Sequence, residues 1–193
     1  MDYCTLNGVK SELDIESDDN DDMLQAMIEQ TKGFIDSFCN RKFDTVTATA
    51  RYFDGAGSIL FIDDLVLIDA LGFKLDLDGD GTYEVTLATT DYTLYPLNTT
   101  PKTIIKISHN SNYGGFASGI RKGVQITGTW GYASTIPKPI NRASMIQVCR
   151  WFKRKDSAYA IEVGTGELGT IQVGRGLDPD IALILKPYIK KVI

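Results

Sequence analysis

The stretch Gly123–Arg150, GVQITGTWGYASTIPKPINRASMIQVCR, places the tightest constraint on how this chain can fold. Val124, Ile126 and Trp130 alternate with Gln125, Thr127 and Thr129, the period of a half-buried strand. Gly131 and Tyr132 mark a bend, and Pro137 and Pro139 cannot continue a sheet because proline lacks the ladder N–H. From Pro139, which suits a first helical turn, the period becomes helical, with Ile140, Ser144, Val148 and Trp151/Phe152 on one face. A β-rich region ends here and a helical one resumes. Both are expected to pack around this junction, with Trp130 and Ile140 in the core.

The chain's 193 residues suit one domain with room for a large insertion. Its 43% hydrophobic and 23% charged content is that of a globular protein, and no apolar run reaches the ~18 residues of a membrane-spanning helix. The polar, acidic start MDYCTLNGVKSEL has no signal-peptide core, which points to an intracellular origin. Cys4, Cys39 and Cys149 are too few and too far apart for a disulfide framework or a CxxC metal site, so buried free thiols are expected. Charge is uneven. Residues 1–137 carry 10 Lys/Arg against 20 Asp/Glu, and residues 138–193 carry 10 against 5. An acidic body argues against a general nucleic-acid binder, and the basic remainder reads first as solvated helix faces.

Before the junction, Thr5 is expected to cap a short helix over Leu6–Leu13. A polar connector at Glu16–Asn20 leads to the clearest helix, Asp21–Asn40, where Leu24, Met27, Ile28, Thr31, Phe34/Ile35 and Phe38 keep 3–4 spacing. From Asp44 to Tyr132 the texture is β. Strands are expected over Thr45–Phe53, Ser58–Ile62, Val66–Leu77, Tyr83–Leu87, Asp91–Leu97 and Thr103–Ser108, followed by a glycine-rich flexible loop at His109–Gly123. After the junction a helix should run to about Lys155, and residues 156–176 form a glycine-rich connector. Asp178-Pro179-Asp180 then reads as a cap, a first-turn proline and a first-turn acid of a final helix that Pro187 interrupts. The fold class is α+β: a small helical bundle of N- and C-terminal helices with a large antiparallel β insertion. One domain would comprise N-terminal helices (1–43), the β insertion (44–132), a helix (137–156) and a flexible linker with a C-terminal helix (157–193).

Residues able to carry catalysis are scarce. The single histidine, His109, lies in the glycine loop, and no cysteine sits in a nucleophile motif. GTGELG at Gly164–Gly169 fits GxGxxG formally, yet no strong strand precedes it and a linker is the better reading. Asp63-Asp64 makes a poor dyad because adjacent strand residues face opposite ways. No enzyme activity and no cofactor are expected.

The sharpest local motif is Asp76-Leu77-Asp78-Gly79-Asp80-Gly81. Alternate carboxylates followed by glycine match positions 1, 3, 5 and 6 of a calcium loop, and Glu84 falls at position 9. Position 12, where a bidentate Glu belongs, is Leu87, and flanking strands favour a plain hairpin turn. Asp76, Asp78, Asp80 and Glu84 therefore stand as a calcium candidate beside the turn reading. Tyr92-Thr93-Leu94-Tyr95-Pro96-Leu97-Asn98 reads as the two faces of a strand ending at a proline turn rather than a ligand groove.

In order, YCTLNGVKSEL, DDMLQAMIEQTKGFIDSFCNRKF, RYFDGAGSILFID, DLDGDGTYEV, DYTLYPLN and GVQITGTWGYASTIPKPINRAS resemble the head–tail connector, or adaptor, proteins of tailed bacteriophages and prophages. The resemblance spans nearly the whole chain and is most specific at GVQITGTWGY with the IPKPI helix start. It implies a structural virion protein, made in the host cytoplasm and placed at the capsid–tail junction. Such proteins form a ring, usually of twelve subunits, beneath the portal. The ring prolongs the DNA channel without binding DNA specifically, and it carries the stopper or tail-completion protein. No membrane is involved. The C-terminal segment of the family tends to engage the portal, which here implicates Leu177, Ile181, Ile184, Leu185 and Ile189. A β-rich, calcium-dependent binding module is the alternative, and Asp76–Asp80 is the feature that would distinguish it.

Overall fold

The computed structural model describes residues 1–155, 162–164, 170–172 and 178–190, with the backbone alone for 162–164 and 170–172. The fold is mixed α+β, in two compact units: Met1–Arg41 with Ile136–Ile193, and Lys42–Thr135.

In the first unit, α1 spans Leu6–Leu13, α2 Asp21–Cys39, α3 Lys138–Lys153 and α4 Pro179–Leu185, and a 3₁₀ turn follows at Lys186–Tyr188. Each boundary has a local cause. The Thr5 hydroxyl accepts the Gly8 amide at 3.2 Å, which supplies an acceptor for one of the unpaired donors at the start of α1. Asp21 and Asp22 put negative charge at the positive end of α2, and Asn40 closes it in the left-handed conformation with φ 51°. Pro137 caps α3, and Arg150 and Lys153 lie in its last turn. Asp178 accepts the Asp180 amide ahead of Pro179, and α4 stops before Pro187.

The α2 stripe falls one residue off expectation at its end: Leu24, Ile28, Thr31, Ile35 and Cys39 are buried, and Phe38 is exposed. The buried Thr31 hydroxyl donates to the Met27 carbonyl at 2.8 Å, so its burial leaves no orphan. Cys4, Val9, Leu24, Ile28, Val148 and Cys149 form one apolar cluster. Three hydrogen bonds tie the unit's ends together. The Asn141 side-chain amide donates to the Tyr3 carbonyl at 2.7 Å, the Tyr3 hydroxyl donates to Asp36, and the Lys190 amide donates to the Cys39 carbonyl at 2.8 Å.

The second unit is a six-stranded antiparallel sheet: β1 Val46–Phe53, β2 Ile59–Leu75, β3 Val85–Thr86, β4 Tyr92–Tyr95, β5 Lys102–Ile107 and β6 Val124–Trp130. The strand order is β1-β6-β2-β5-β4, with β3 paired to β2. The last strand in sequence is thus inserted between the first two. In β6 every odd position of the strand is buried and every even one half-buried, as the alternation predicts. Leu60, Ile62, Leu65, Phe73, Leu75, Leu87, Ile105, Phe116, Val124, Ile126 and Trp130 form the unit's apolar core.

Three expectations change. The separate strands expected at Ser58–Ile62 and Val66–Leu77 are one 17-residue strand, β2, which absorbs the polar Asp63-Asp64 pair through register shifts. The glycine loop 109–123 is anchored rather than free. Phe116 is buried in the sheet core and its amide donates to the Gly57 carbonyl at 2.6 Å, and the Lys122 amide donates to Asp54 Oδ1 at 2.7 Å. The residues of the junction fall in both units. Trp130 and Gly131 are buried in the sheet unit with Tyr132 beside Phe43, and Ile140 is buried in α3 of the helical unit, with Pro137 half-buried and Pro139 exposed. In the connector, β7 (Glu162–Gly164) and β8 (Thr170–Gln172) pair antiparallel where only linker was expected.

Gly131 has φ 134°, and a Cβ there would lie 2.2 Å from the Asp44 carbonyl oxygen. Gly131→Ala should lower stability by about 1–3 kcal/mol, measured by denaturant unfolding. Gly33, exposed in α2 with open space around it, is the control: Gly33→Ala should raise stability by about 0.5–1 kcal/mol.

Candidate functional site

The residues with chemical potential do not converge. His109 is exposed. Asp63 is exposed and pairs with Arg51 at 2.7 Å, whereas its neighbour Asp64 is buried, so the two carboxylates face opposite ways. All three cysteines are buried free thiols. Burial pushes each thiol pKa upward, that of Cys39 to about 11, and Ser144 Oγ contacts Cys4 Sγ at 3.3 Å. A thiol so disposed is neutral near pH 7 and a poor nucleophile.

Tyr92 and Leu94 pack against the sheet core, Tyr92 edge-on to Phe73 at 4.9 Å, and burial raises the Tyr92 pKa. Tyr95 instead carries the Lys106 ammonium 4.8 Å above its ring. The Tyr92–Asn98 segment is therefore the two-faced strand expected of it. Of GTGELG, Gly164 ends β7 and residues 165–169 lie outside the described residues.

The hairpin after β2 does gather carboxylates. Asp76, Asp78, Asp80 and Glu84 bring one oxygen each within 4.8 Å of one another. Asp76 is buried and accepts the Gly79 amide at 2.6 Å and the Gly81 amide at 2.9 Å, one on each oxygen. Asp78 accepts the Asp80 amide at 3.1 Å, and Asp80 accepts the Thr82 amide at 2.6 Å. Gly79 and Gly81 take φ 85° and 90°, which closes the turn so that Leu75 pairs with Val85. A hard cation could use the outward oxygens of Asp78, Asp80 and Glu84. The twelfth position, Leu87, is buried in the sheet core and supplies no ligand. Asp76, Asp78 and Asp80 each also accept a backbone amide that closes the hairpin.

The amide bonds from Gly79 and Gly81 hold the Asp76 pKa below its ordinary value of 3.8, against an opposing push from burial. A carboxylate lowered in the folded state contributes stability above its unfolded pKa and loses it as pH falls through the folded value. The Tm difference between the wild type and Asp76→Asn should be widest near neutral pH and close below about pH 4, read by calorimetry across pH.

The C-terminal candidates separate sharply. Ile181 and Leu185 are fully buried in the helical unit, so they hold α4 in place and offer no docking surface. Ile184 is half-buried, Ile189 is exposed, and Leu177 lies outside the described residues. Leu183, which did not figure among the sequence candidates, is the most exposed apolar residue of α4 at 71%. Helical spacing from Ile181 and Leu185 leaves position 183 facing outward, so the signal was present. Arg150 of α3 pairs with Asp178 at the start of α4.

Against known proteins, residues 3–65 match the family described as phage gp6-like head-tail connector protein. The resemblance read from the sequence to head–tail connector proteins therefore stands on α1, α2, β1 and the first part of β2. No curated protein sequence matches the chain. Among solved structures, the fold is similar to a chain in the neck of an empty GTA particle computed with C6 symmetry. The TM-score is 0.54 at 9% identity, over 99% of this chain and 91% of that one. It is also similar to a chain in the neck of a native GTA particle computed with C12 symmetry, with a TM-score of 0.52 at 14% identity over 100% and 96%.

Proposed function

We propose that this protein is a structural component of a virion neck. It would be a head–tail connector whose subunits form a ring beneath the portal, prolong the DNA channel and carry the stopper or tail-completion protein. The observation that carries the reading is the match of residues 3–65 to the connector family. The full-length likeness in fold to chains of particle necks with C6 and C12 symmetry supports it. An acidic body also suits a channel, because like charge keeps DNA phosphates from adhering while the genome passes. A location at the capsid–tail junction follows from this role, after synthesis in the host cytoplasm. No enzyme activity is part of the reading.

Portal contact is assigned to the C-terminal segment, through Ile184. Deleting 176–193 is a poor test of it, because the deletion removes two fully buried side chains, Ile181 and Leu185. Each contributes about 1.5–3 kcal/mol to the helical unit. The Asp76 cluster is assigned to hairpin closure rather than to calcium, and a calorimetric binding isotherm at millimolar calcium would reverse that assignment in favour of a calcium-dependent module.

Light scattering after size exclusion, with electron microscopy of the protein alone and mixed with its portal, tests the central reading. A closed ring in either preparation is expected. A monomer at every concentration in both would sink it.

A further inference from the structure

The longest strand carries an irregularity in its pairing with β6. Along β2 and β6 the pairing passes from Ile68↔Gly128 to Phe73↔Ile126, so Asp69, Ala70, Leu71 and Gly72 stand opposite Thr127 alone. The sequence accommodates this bulge closely. A Cβ on Gly72 would lie 2.4 Å from the Thr127 carbonyl oxygen, and one on Gly128 would lie 2.3 Å from the Leu67 carbonyl oxygen. At its crest Leu71 takes φ 58°, a left-handed conformation unfavourable for leucine, and is 75% exposed. Strain and exposure of a large apolar side chain coincide there. Such an outlier points to a role outside the monomer. Leu67, 47% exposed, lies at the foot of the bulge, and Asp69 within it makes no ion pair among the described residues.

The helical unit offers a surface of the opposite shape. Phe38 of α2, with Pro179, Ala182, Leu183, Lys186 and Ile189, lines an open groove of about 340 Å³. Its walls are apolar, with Leu183 71% and Ile189 41% exposed, and Lys186 supplies an exposed positive charge. An apolar projection flanked by an acid and an apolar groove flanked by a base are thus both solvent-exposed in one chain.

We infer that Leu71 of one copy seats in the Phe38–Leu183–Ile189 groove of the next, with Asp69 meeting Lys186. Two different surfaces of one chain that fit each other make a head-to-tail contact, which generates a ring when its rotation closes. The occupant of the groove is a second copy because the complementary shape and charge are both present on this chain. The inference rests on the assembly proposed above and names the contact that propagates it.

Sedimentation velocity on the full chain reads the association directly. Leu71→Asn keeps a residue that tolerates positive φ, so its fold should be retained with an unchanged or raised Tm. Its self-association should weaken about tenfold or more. Asp69→Lys and Lys186→Asp should each weaken association, and combining them in one chain should restore it. Because the native thiols are buried, mixing Leu71→Cys with Leu183→Cys under oxidation should give a disulfide-linked dimer that neither variant forms alone. If the wild type associates and Leu71→Asn and the charge variants associate equally well, the contact is wrong while the ring reading stands. If Leu183→Glu abolishes portal binding and leaves self-association intact, the groove belongs to the portal and the inference falls. A wild type that stays monomeric alone and with the portal overturns both.

Discussion

The insertion of β6 between β1 and β2 is the constraint on which the sheet unit depends. Its backbone is paired along both edges, Val46–Phe53 on one side and Leu65–Leu75 on the other. β1 and β2 are joined through β6 rather than directly to each other. Such pairing over long sequence separation makes closure entropically costly and slow. Close approach of backbone is the local requirement, and glycine meets it at both ends of the contact: Gly128 under the Leu67 carbonyl and Gly131 against that of Asp44. Trp130 then seals the end of the strand, fully buried, with its indole N–H donating to the Thr49 carbonyl at 2.8 Å and the Arg51 guanidinium 4.6 Å from its ring.

Polar groups in this molecule serve mainly to shape the backbone. The carboxylates of Asp54, Asp76, Asp80, Asp91 and Asp178 all accept backbone amides at turns or caps. The buried thiols are held neutral, and His109 stands apart from any other titratable cluster described. This distribution suits a protein whose output is a surface and a position in an assembly. The exposed apolar residues of the β2 bulge and of α4 are then the parts left to explain, and the contact between copies proposed above would give them a physical reason.

Much of the helical unit was legible because local rules decide it. Thr5, Asn40 and Asp178-Pro179 act within a turn of their own positions, and the α1 bounds follow from the cap and the apolar spacing. Single strands were legible by alternation, above all β6. The union of Ser58–Ile62 with Val66–Leu77 into one strand was hidden, because Asp63-Asp64 reads as a break when its neighbours are unknown. In the folded chain Arg51 pairs with Asp63 and the Asp64 carbonyl accepts the Gly131 amide at 2.8 Å. Likewise the glycine loop looked free because nothing local reveals that Phe116 is drawn into a core built by residues 60–130.

By itself, then, the sequence determined the mixed α+β class, the helix bounds, the alternation of β6, the burial of the cysteines and the closing of the Asp76 hairpin. Each depends on interactions spanning a few residues or on simple partition of apolar groups from water. Only the tertiary structure decided the strand order and the four-residue bulge that lifts Leu71. Those follow from which distant backbones approach closely enough to pair, and that is a property of the assembled sheet and helices rather than of any single stretch.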